Sequence, residues 1–311
     1  MNHLAISKLT RLEPDYFSVI VASGAEERAT HAFHNYNPAA ERFLSSYYGN
    51  ETPISQSNKQ YFRSRGFLDF PASGDDLKAS IKALISEAAA SESKRLCVDI
   101  SCLTREGMAR WIHSLSSVKL PTPVSVDFVY SHAEFIAPPS IAALAKSPLP
   151  AVPELAGYFD NPEAPSLLVI GLGYEPYLAL GFLELLDPSH VIAFVPSGHD
   201  SRFTAAVTTQ NRTFFEYVRN ESLIHYDVFE PFAAFQSVES VISGNKKKFR
   251  INLAPCGPKL FALSCIAAAV AHYPNVFVWN LNADAKSVVP PNRRPSGQCS
   301  FLRVTASPNF A

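Results

Sequence analysis

Two stretches of the chain decide its fold: residues 19–26, VIVASGAE, and residues 168–175, LVIGLGYE. Each begins with an apolar run that is typical of a buried strand, and each ends in Gly-x-Glu. The same pattern, met twice in one chain, predicts that an α/β unit has been duplicated.

A second pair of stretches supports the duplication: residues 98–105, VDISCLTR, and residues 251–259, INLAPCGPK. Each runs from an acid or an amide through a short loop to a basic residue. From Gly24 to Asp99 is 75 positions (99 − 24), and from Gly173 to Asn252 is 79 (252 − 173). The similar spacing places the two strand ends at corresponding points of the two copies.

Strand and helix patterns alternate through most of the chain. We expect strands at residues 17–23, 96–101, 124–130, 167–172, 190–195, 223–229, 249–253, 275–281 and 301–306. We expect helices from residue 26 and at 75–90, 104–115, 176–186, 202–219, 231–242 and 258–271, whereas residues 53–65 show no clear pattern. Apolar strands that alternate with helices indicate parallel sheets covered on both faces. The predicted fold class is therefore α/β, with two tandem Rossmann-like halves and mostly parallel sheets.

Proline marks the domain boundaries. Residues 137–165 are rich in Pro and Ala, and proline lacks the amide donor that helices and central strands need. We therefore expect a first Rossmann-like half at 1–136, a connector at 137–165 and a second half at 166–283. Residues 284–311 are expected to be an irregular tail that packs on the domain.

Composition limits the classes of partner. The 311 residues are 47% hydrophobic, and the formal net charge of −1 gives no overall attraction to nucleic acid or to anionic membranes. The five cysteines include no CxxC pair, which favours a reducing compartment. The first residues lack the apolar core of a signal peptide, and the longest apolar stretch, residues 260–271, is too short to span a bilayer. The sequence predicts a cytoplasmic protein that has no membrane partner.

The candidate site residues follow strands, because ligands of open parallel sheets bind at the carboxyl ends of strands where the strand order reverses. In the first half they are Gly24, Glu26, Arg28, Ser101, Thr104 and Arg105. In the second half they are Gly171, Gly173, Glu175, Ser197, Gly198, Gly257 and Lys259.

The two glycines Gly171 and Gly173 do not complete a dinucleotide fingerprint. Its third glycine would stand three positions after Gly173, where the chain has Pro176. Close packing of strand and helix is the favoured interpretation of these glycines. No cofactor is predicted, and the scattered histidines predict no metal site.

Arg105 and Lys259 each stand at the start of an expected helix. A cation there opposes the helix dipole by a few tenths of a kcal/mol, roughly, unless an anion lies nearby. A bound phosphate would reverse the sign of that interaction, and side chains that simply reach solvent are the alternative.

The strand-end acids leave two interpretations open. Glu26 and Glu175 are expected either to bind a ribose hydroxyl or to cap the next helix. His199 and Asp200 could form an acid–base pair, but capping of the next helix by Asp200 is the favoured interpretation.

The paired strand ends resemble CRISPR-associated Rossmann-fold ligand-binding domains, whose late strand leads into Asn/Asp-aliphatic-Thr/Ser-Gly-Gly-Thr-Lys. Residues 98–105 match in Asp99, the hydroxyls and the final Thr-Arg pair, and depart at Cys102 and Leu103. Residues 251–259 keep Asn252, one glycine and the lysine, with one residue inserted. Such domains usually pair around a two-fold-symmetric cyclic oligonucleotide, and a tandem duplication would build that two-fold in one chain.

The resemblance implies a nucleotide-binding or nucleotide-sensing regulatory protein of bacterial antiviral defence. The ligand, a nucleotide or another phosphate-bearing small molecule, is expected in a cleft between the halves. A protein partner would supply the effector output, and a homodimer is compatible with this reading. The alternatives are an enzyme that acts on a nucleotide or sugar-phosphate with a strand-end Glu, and a scaffold subunit without a ligand.

Overall fold

The computed structural model describes residues 2–49, 52–138, 155–157, 159, 161–175, 177–279 and 292–308. It divides into two compact units. The first unit is Met1–Glu134 with Pro290–Ala311, and the second unit is Phe135–Val289. Most of the connector predicted at 137–165 lies outside the described residues.

The first unit contains seven strands and four α-helices among its described residues. Its strands are β1 (His3–Leu9), β2 (Asp15–Ala22), β3 (Ala39–Ser46), β4 (Leu68–Phe70), β5 (Arg95–Asp99), β6 (Val124–Ala133) and β12 (Pro295–Ser307). Its helices are α1 (His31–Tyr36), α2 (Pro53–Arg63), α3 (Gly74–Ala90) and α4 (Arg105–Ser117), and a 3-10 helix at Glu27–Thr30 precedes α1.

The second unit contains five strands and five α-helices among its described residues. The strands are β7 (Ser166–Gly171), β8 (His190–Ser197), β9 (Leu223–Asp227), β10 (Arg250–Pro255) and β11 (Val276–Val278). The helices are α5 (Leu178–Leu186), α6 (Ser201–Gln210), α7 (Arg212–Tyr217), α8 (Pro231–Asn245) and α9 (Lys259–Ala271).

The two sheets share one strand order over five parallel strands. In the first unit the order is β1-β12-β6-β5-β2-β3-β4, with β12 antiparallel to both of its neighbours. In the second unit it is β11-β10-β7-β8-β9, and all pairs are parallel. The structure confirms the predicted α/β class with two Rossmann-like halves. In each unit the order reverses between the first parallel strand and the fourth, β2 and β5 or β7 and β10, and we call this place the switch point.

Apolar runs explain why these strands are central. Every residue of β7 is buried, and α9 is buried along nearly its whole length by an unbroken run of small and apolar side chains. A strand covered on both faces has no polar face, so its sequence reads as a continuous apolar run. The cores of both units therefore lie on the two faces of their sheets.

Matching hydrogen bonds align the two switch points. The amide of Ser23 donates to the carbonyl of Ser46 in β3, and the amide of Leu172 donates to the carbonyl of Phe194 in β8. Ser23 and Leu172 therefore correspond, and so do the glycines that follow them. The expected correspondence of Asp99 with Asn252 is wrong. Asp99 ends β5, whereas Asn252 lies inside β10 beside Leu168 and bonds Ser166 and Trp279.

Sequence patterns missed α2, which covers most of the stretch without a clear pattern. Thr52 and Ser55 form a reciprocal capping box, and Pro53 stands in the first turn, where its missing amide costs nothing. The weak apolar pattern of this helix hid it, although its N-terminal signal was present.

The C-terminal tail is more regular than expected, because it contains the 13-residue strand β12. Arg303 holds β12 in the sheet through two hydrogen bonds to Asp127. Its Nε donates to Oδ1 at 2.6 Å, and its Nη2 donates to Oδ2 at 2.7 Å. Tyr16 donates to the same carboxylate at 2.7 Å. A fully buried carboxylate thus joins β12, β6 and β2.

Every helix in the described part of the chain is too short or too polar to cross a membrane. The predicted cytoplasmic location and the internal duplication stay predictions.

Candidate functional site

The switch point of the first unit brings Gly24 against Cys102. A Cβ added to Gly24 would lie 2.5 Å from the Cβ of Cys102 and 2.8 Å from its sulfur. Only glycine therefore allows the loop after β2 to approach the loop after β5 this closely. The cysteine side chain occupies the place where the resembled domains have a glycine.

Thr104 and Arg105 start α4 beside that contact. The Thr104 side chain accepts a hydrogen bond from the amide of Gly107, and the Thr104 amide donates to the hydroxyl of Tyr48 at 3.3 Å. Arg105 is the first residue of α4 and is half-buried. The hydroxyl of Thr104 therefore caps the helix, and the cation follows at the helix start.

Glu26 and Arg28, predicted to contact the ligand, pair with each other. Nε of Arg28 donates to Oε2 of Glu26 at 2.5 Å, and its other nitrogens donate to the carbonyls of Ser131 at 2.9 Å and Ser101 at 3.2 Å. Arg28 is completely buried, and Glu26 is 7% exposed. The geometry gives Arg28 a structural role, since it ties the loop after β2 to the ends of β5 and β6.

The environment of Arg28 favours its charged form. Burial by itself lowers the pKa of the guanidinium, but electrostatic interactions with Tyr130 and Glu26 outweigh burial and raise that pKa above its ordinary value. Arg293, from the segment before β12, approaches Glu26 at 3.7 Å. Glu26 stands at the N-cap of the 3-10 helix, but its side chain makes no capping bond there. The capping interpretation of Glu26 is therefore wrong.

Ser101 also serves the fold at this point. Its hydroxyl accepts a hydrogen bond from the amide of Ser131 at 2.8 Å, and the residue is fully buried. This bond extends the contact between β5 and β6 past the end of the parallel ladder.

The switch point of the second unit is lined by backbone. A Cβ added to Gly257 would lie 2.7 Å from the carbonyl oxygen of Leu172, and one added to Gly173 would lie 2.8 Å from that of Cys256. The same Cβ on Gly173 would lie 2.5 Å from Oε2 of Glu175, so this carboxylate sits over the glycine. Here the loops after β7 and β10 approach as closely as in the first unit.

Gly171 has a packing role. A Cβ at this position would lie 2.3 Å from the ring of Phe261 on α9. The structure thus supports the favoured interpretation of this glycine, close packing of strand and helix.

Lys259 is the first residue of α9 and is half-buried. Pro258 occupies the N-cap and offers no side-chain acceptor, in contrast to Thr104 of α4. The amides of a helix's first turn attract anions, and a lysine beside them adds positive charge. This helix start therefore carries positive charge from its amides and from the lysine.

The loop after β8 lies at the same edge of the sheet. The Ser197 hydroxyl donates to the carbonyl of Tyr226 at 2.9 Å. A Cβ on Gly198 would lie 3.1 Å from a methyl of Val228. Asp200 accepts from the amide of Arg202 at 3.0 Å, which confirms that it caps α6. His199 stacks on Phe229, with ring centroids 4.3 Å apart.

Two asparagines that the sequence analysis missed support the glycines in the same way. Nδ2 of Asn58 donates to the carbonyl of Gly24 at 2.8 Å, and Nδ2 of Asn211 donates to the carbonyl of Gly173 at 2.7 Å. Both asparagines are buried. Their separations from the glycines, 34 and 38 positions, were the only available signal.

The described residues include no group of three or more His, Cys, Asp or Glu side chains that could hold a metal ion. The structure defines each unit by itself, so the cleft predicted between the halves stays a prediction.

No family model matches the chain, and no curated protein matches it. Among solved structures, it is similar to a Type III CRISPR defence DNA nuclease activated by cyclic oligoadenylate, with a TM-score of 0.46 and 8% identity over 82% of this chain and 64% of that chain. The chain thus spans less than two thirds of the nuclease. A second similarity is to phosphoethanolamine N-methyltransferase 1 of Haemonchus contortus, with a TM-score of 0.21 and 8% identity over 97% of this chain and 88% of that chain.

Proposed function

We propose that the chain binds a nucleotide through its phosphate at the switch points and acts as a nucleotide sensor. The observation that carries the proposal is the second switch point, where Gly173, Gly257 and the start of α9 at Lys259 lie at one edge of the sheet. The glycines let the loops after β7 and β10 approach each other, and the amides at the helix start together with the lysine favour a negative charge there.

The first unit adds Arg105 at the corresponding helix start. Glu26 and Arg28 pair with each other and support the loop there, so the proposal gives them no direct contact with the ligand. Glu175, which lies over Gly173, is the acid that we propose to meet a ribose hydroxyl.

The setting of this sensor comes from the resemblance of residues 98–105 to the CRISPR-associated ligand-binding domains. We propose that the protein works in bacterial antiviral defence and that a protein partner carries the effector output. Pairing of two copies belongs to the same proposal.

Calorimetric titration with ribose 5-phosphate and with adenosine 5′-monophosphate tests phosphate binding. Lys259→Ala should lower the affinity for both ligands about 10- to 100-fold, since it removes a hydrogen bond to a charged group. Lys247→Ala, which changes an exposed lysine beyond α8, is the matched control and should change nothing. If neither ligand binds the wild-type chain, or if the two variants behave alike, the proposal fails.

The enzyme alternative keeps one supporting observation, the carboxylate of Glu175 at the second switch point. A general base must reach the proton that it removes, and this acid lies beside the proposed phosphate site. Chromatography of nucleotides incubated with the protein would show a product that disappears in Glu175→Gln if this alternative holds. Glu26 is a poor candidate for this base, because it is paired with Arg28.

A further inference from the structure

In the second unit, two strands extend past the switch point. The last pair between β7 and β8 is Gly171 with Phe194, but β8 continues for three more residues and stays paired with β9 as far as Ser197 with Asp227. At about 3.3 Å per residue, the pair β8–β9 extends roughly 10 Å beyond the end of β7. We call residues 195–197 and 225–227 the wall.

The first unit lacks this extension in its described residues. The last pair between β2 and β3 is Ala22 with Ser46, and Ser46 is also the last residue of β3 to pair with β4, opposite Phe70. The three strands therefore end level. With the same strand order, the strands beside the switch point extend past it in the second unit and end level with it in the first unit.

The loops that follow the wall hold two rings face to face. His199, after β8, stacks on Phe229, after β9, with centroids 4.3 Å apart and ring planes 11° from parallel. Gly198 allows the loops to close, because its added Cβ would lie 3.1 Å from Val228 and 3.4 Å from Phe229. His199 is exposed. A pair of parallel rings at a sheet edge is a surface on which a third flat ring can stack.

Tyr226 connects the wall with the proposed phosphate site. Its hydroxyl would lie 3.6 Å from a Cβ added to Gly257, the glycine two positions before Lys259. The rings and the phosphate-binding loop are thus parts of one edge of one unit, on either side of a buried tyrosine.

We propose that the second unit alone recognises an aromatic base, which stacks on His199 while the phosphate of the same molecule binds at Gly257 and Lys259. This inference rests on the proposed function and narrows it. The ligand is a nucleoside phosphate that presents one base per chain, because the strands β3 and β4 end level in the described part of the first unit and form no wall there. The two units therefore do not contribute equally to binding this ligand.

Calorimetry on the full chain with adenosine 5′-monophosphate, ribose 5-phosphate and inorganic phosphate tests this. The nucleotide should bind about 5- to 100-fold more tightly than ribose 5-phosphate, the usual effect of one base–aromatic stack. His199→Ala should remove that advantage and leave the affinity for ribose 5-phosphate unchanged. One nucleotide should bind per chain.

The matched control is His190→Ala. His190 begins β8 at the opposite edge of the sheet and also contacts a phenylalanine ring, Phe249, at 4.8 Å. It should leave the binding of both ligands unchanged. Three results would overturn the inference without contradicting phosphate binding. They are equal affinity for the nucleotide and ribose 5-phosphate, equal effects of the two histidine variants, and two nucleotides bound per chain. If none of the three ligands binds, the proposed function itself fails.

Discussion

In the first unit, protein side chains occupy the switch point, whereas in the second unit glycines and backbone line it. Cys102 packs on Gly24, and Arg28 fills the neighbouring space with bonds to Glu26 and to two strand ends. At Gly173 and Gly257 the closest groups are carbonyl oxygens and the carboxylate of Glu175. One strand order can thus be held together by side-chain packing and hydrogen bonds in one unit and by close backbone contacts in the other, depending on a few side chains.

The two units also differ in whether the strand or the helix carries the smaller side chain. Ala22 of β2 corresponds to Gly171 of β7, because the next amide in each case bonds the neighbouring strand. The third residue of α4 is Gly107, whereas the third residue of α9 is Phe261. The ring of Phe261 leaves no room for a Cβ on Gly171, so a large ring on the helix requires glycine on the strand.

The largest expected effect comes from breaking the buried pair of the first unit. Arg28→Ala removes the ion pair from the buried carboxylate of Glu26 and one hydrogen bond from each of two carbonyls, so the free energy of unfolding should fall by about 3–5 kcal/mol. Urea unfolding measures this.

The control for that change is Arg202→Ala, whose ion pair with Asp200 has 66% and 33% exposed side chains. An exposed pair contributes about 0–1 kcal/mol, so this variant should stay close to wild type. Equal losses in the two variants would show that Arg28 does not hold the first switch point together.

An intermediate effect is expected from making the second unit resemble the first. Gly171→Ala puts a methyl group 2.3 Å from the Phe261 ring, and overpacking of this kind costs about 1–3 kcal/mol. Thermal unfolding should show a lower midpoint.

Gly181→Ala is the matched control, because its added Cβ meets no atom within 4 Å and it lies inside α5. Alanine favours a helix over glycine by up to about 1 kcal/mol, so this variant should be as stable as wild type or more so. A stable Gly171→Ala would mean that the strand and helix are packed more loosely than the structure shows.

The smallest effect is a pH dependence that belongs to the first switch point. Burial raises the pKa of Tyr48 from 10.0 to about 12. The unfolded chain therefore loses this proton at a lower pH than the folded chain. The stability that Tyr48 contributes is complete below pH 10 and is lost as the pH rises towards 12.

Urea midpoints at pH 9 and pH 11 test this in wild type and in Tyr48→Phe. The fall between the two pH values should be smaller in the variant, while Tyr217→Phe, at an exposed tyrosine, should fall as wild type does. An unchanged slope in Tyr48→Phe would contradict the assignment.

Much of the fold was predictable because apolar runs and helix periods are local. The runs at 19–26 and 168–175 became the first parallel strands of the two sheets, and Asp200 was expected to cap the helix that it does cap. The strand β3 and the helix α2 were missed, since their apolar patterns are weak, and β12 was expected to be shorter than its 13 residues.

The site was less predictable, because a side chain's partner can come from anywhere in the chain. Glu26 and Arg28 were expected to contact a ligand, but the carbonyls that Arg28 binds come from residues 73 and 103 positions away. Asn58 and Asn211 were not considered, since nothing near them in sequence indicates that each supports a glycine.

The sequence by itself determined the alternation of strands and helices, the two Rossmann-like halves and the strand ends where a ligand is expected. These follow from hydrophobic period and backbone preference, which act over a few residues. Only the tertiary structure decided which switch point is filled and which is lined by backbone, and where β8 and β9 rise as a wall. Those features depend on strand register and on contacts between distant residues, which no local pattern encodes.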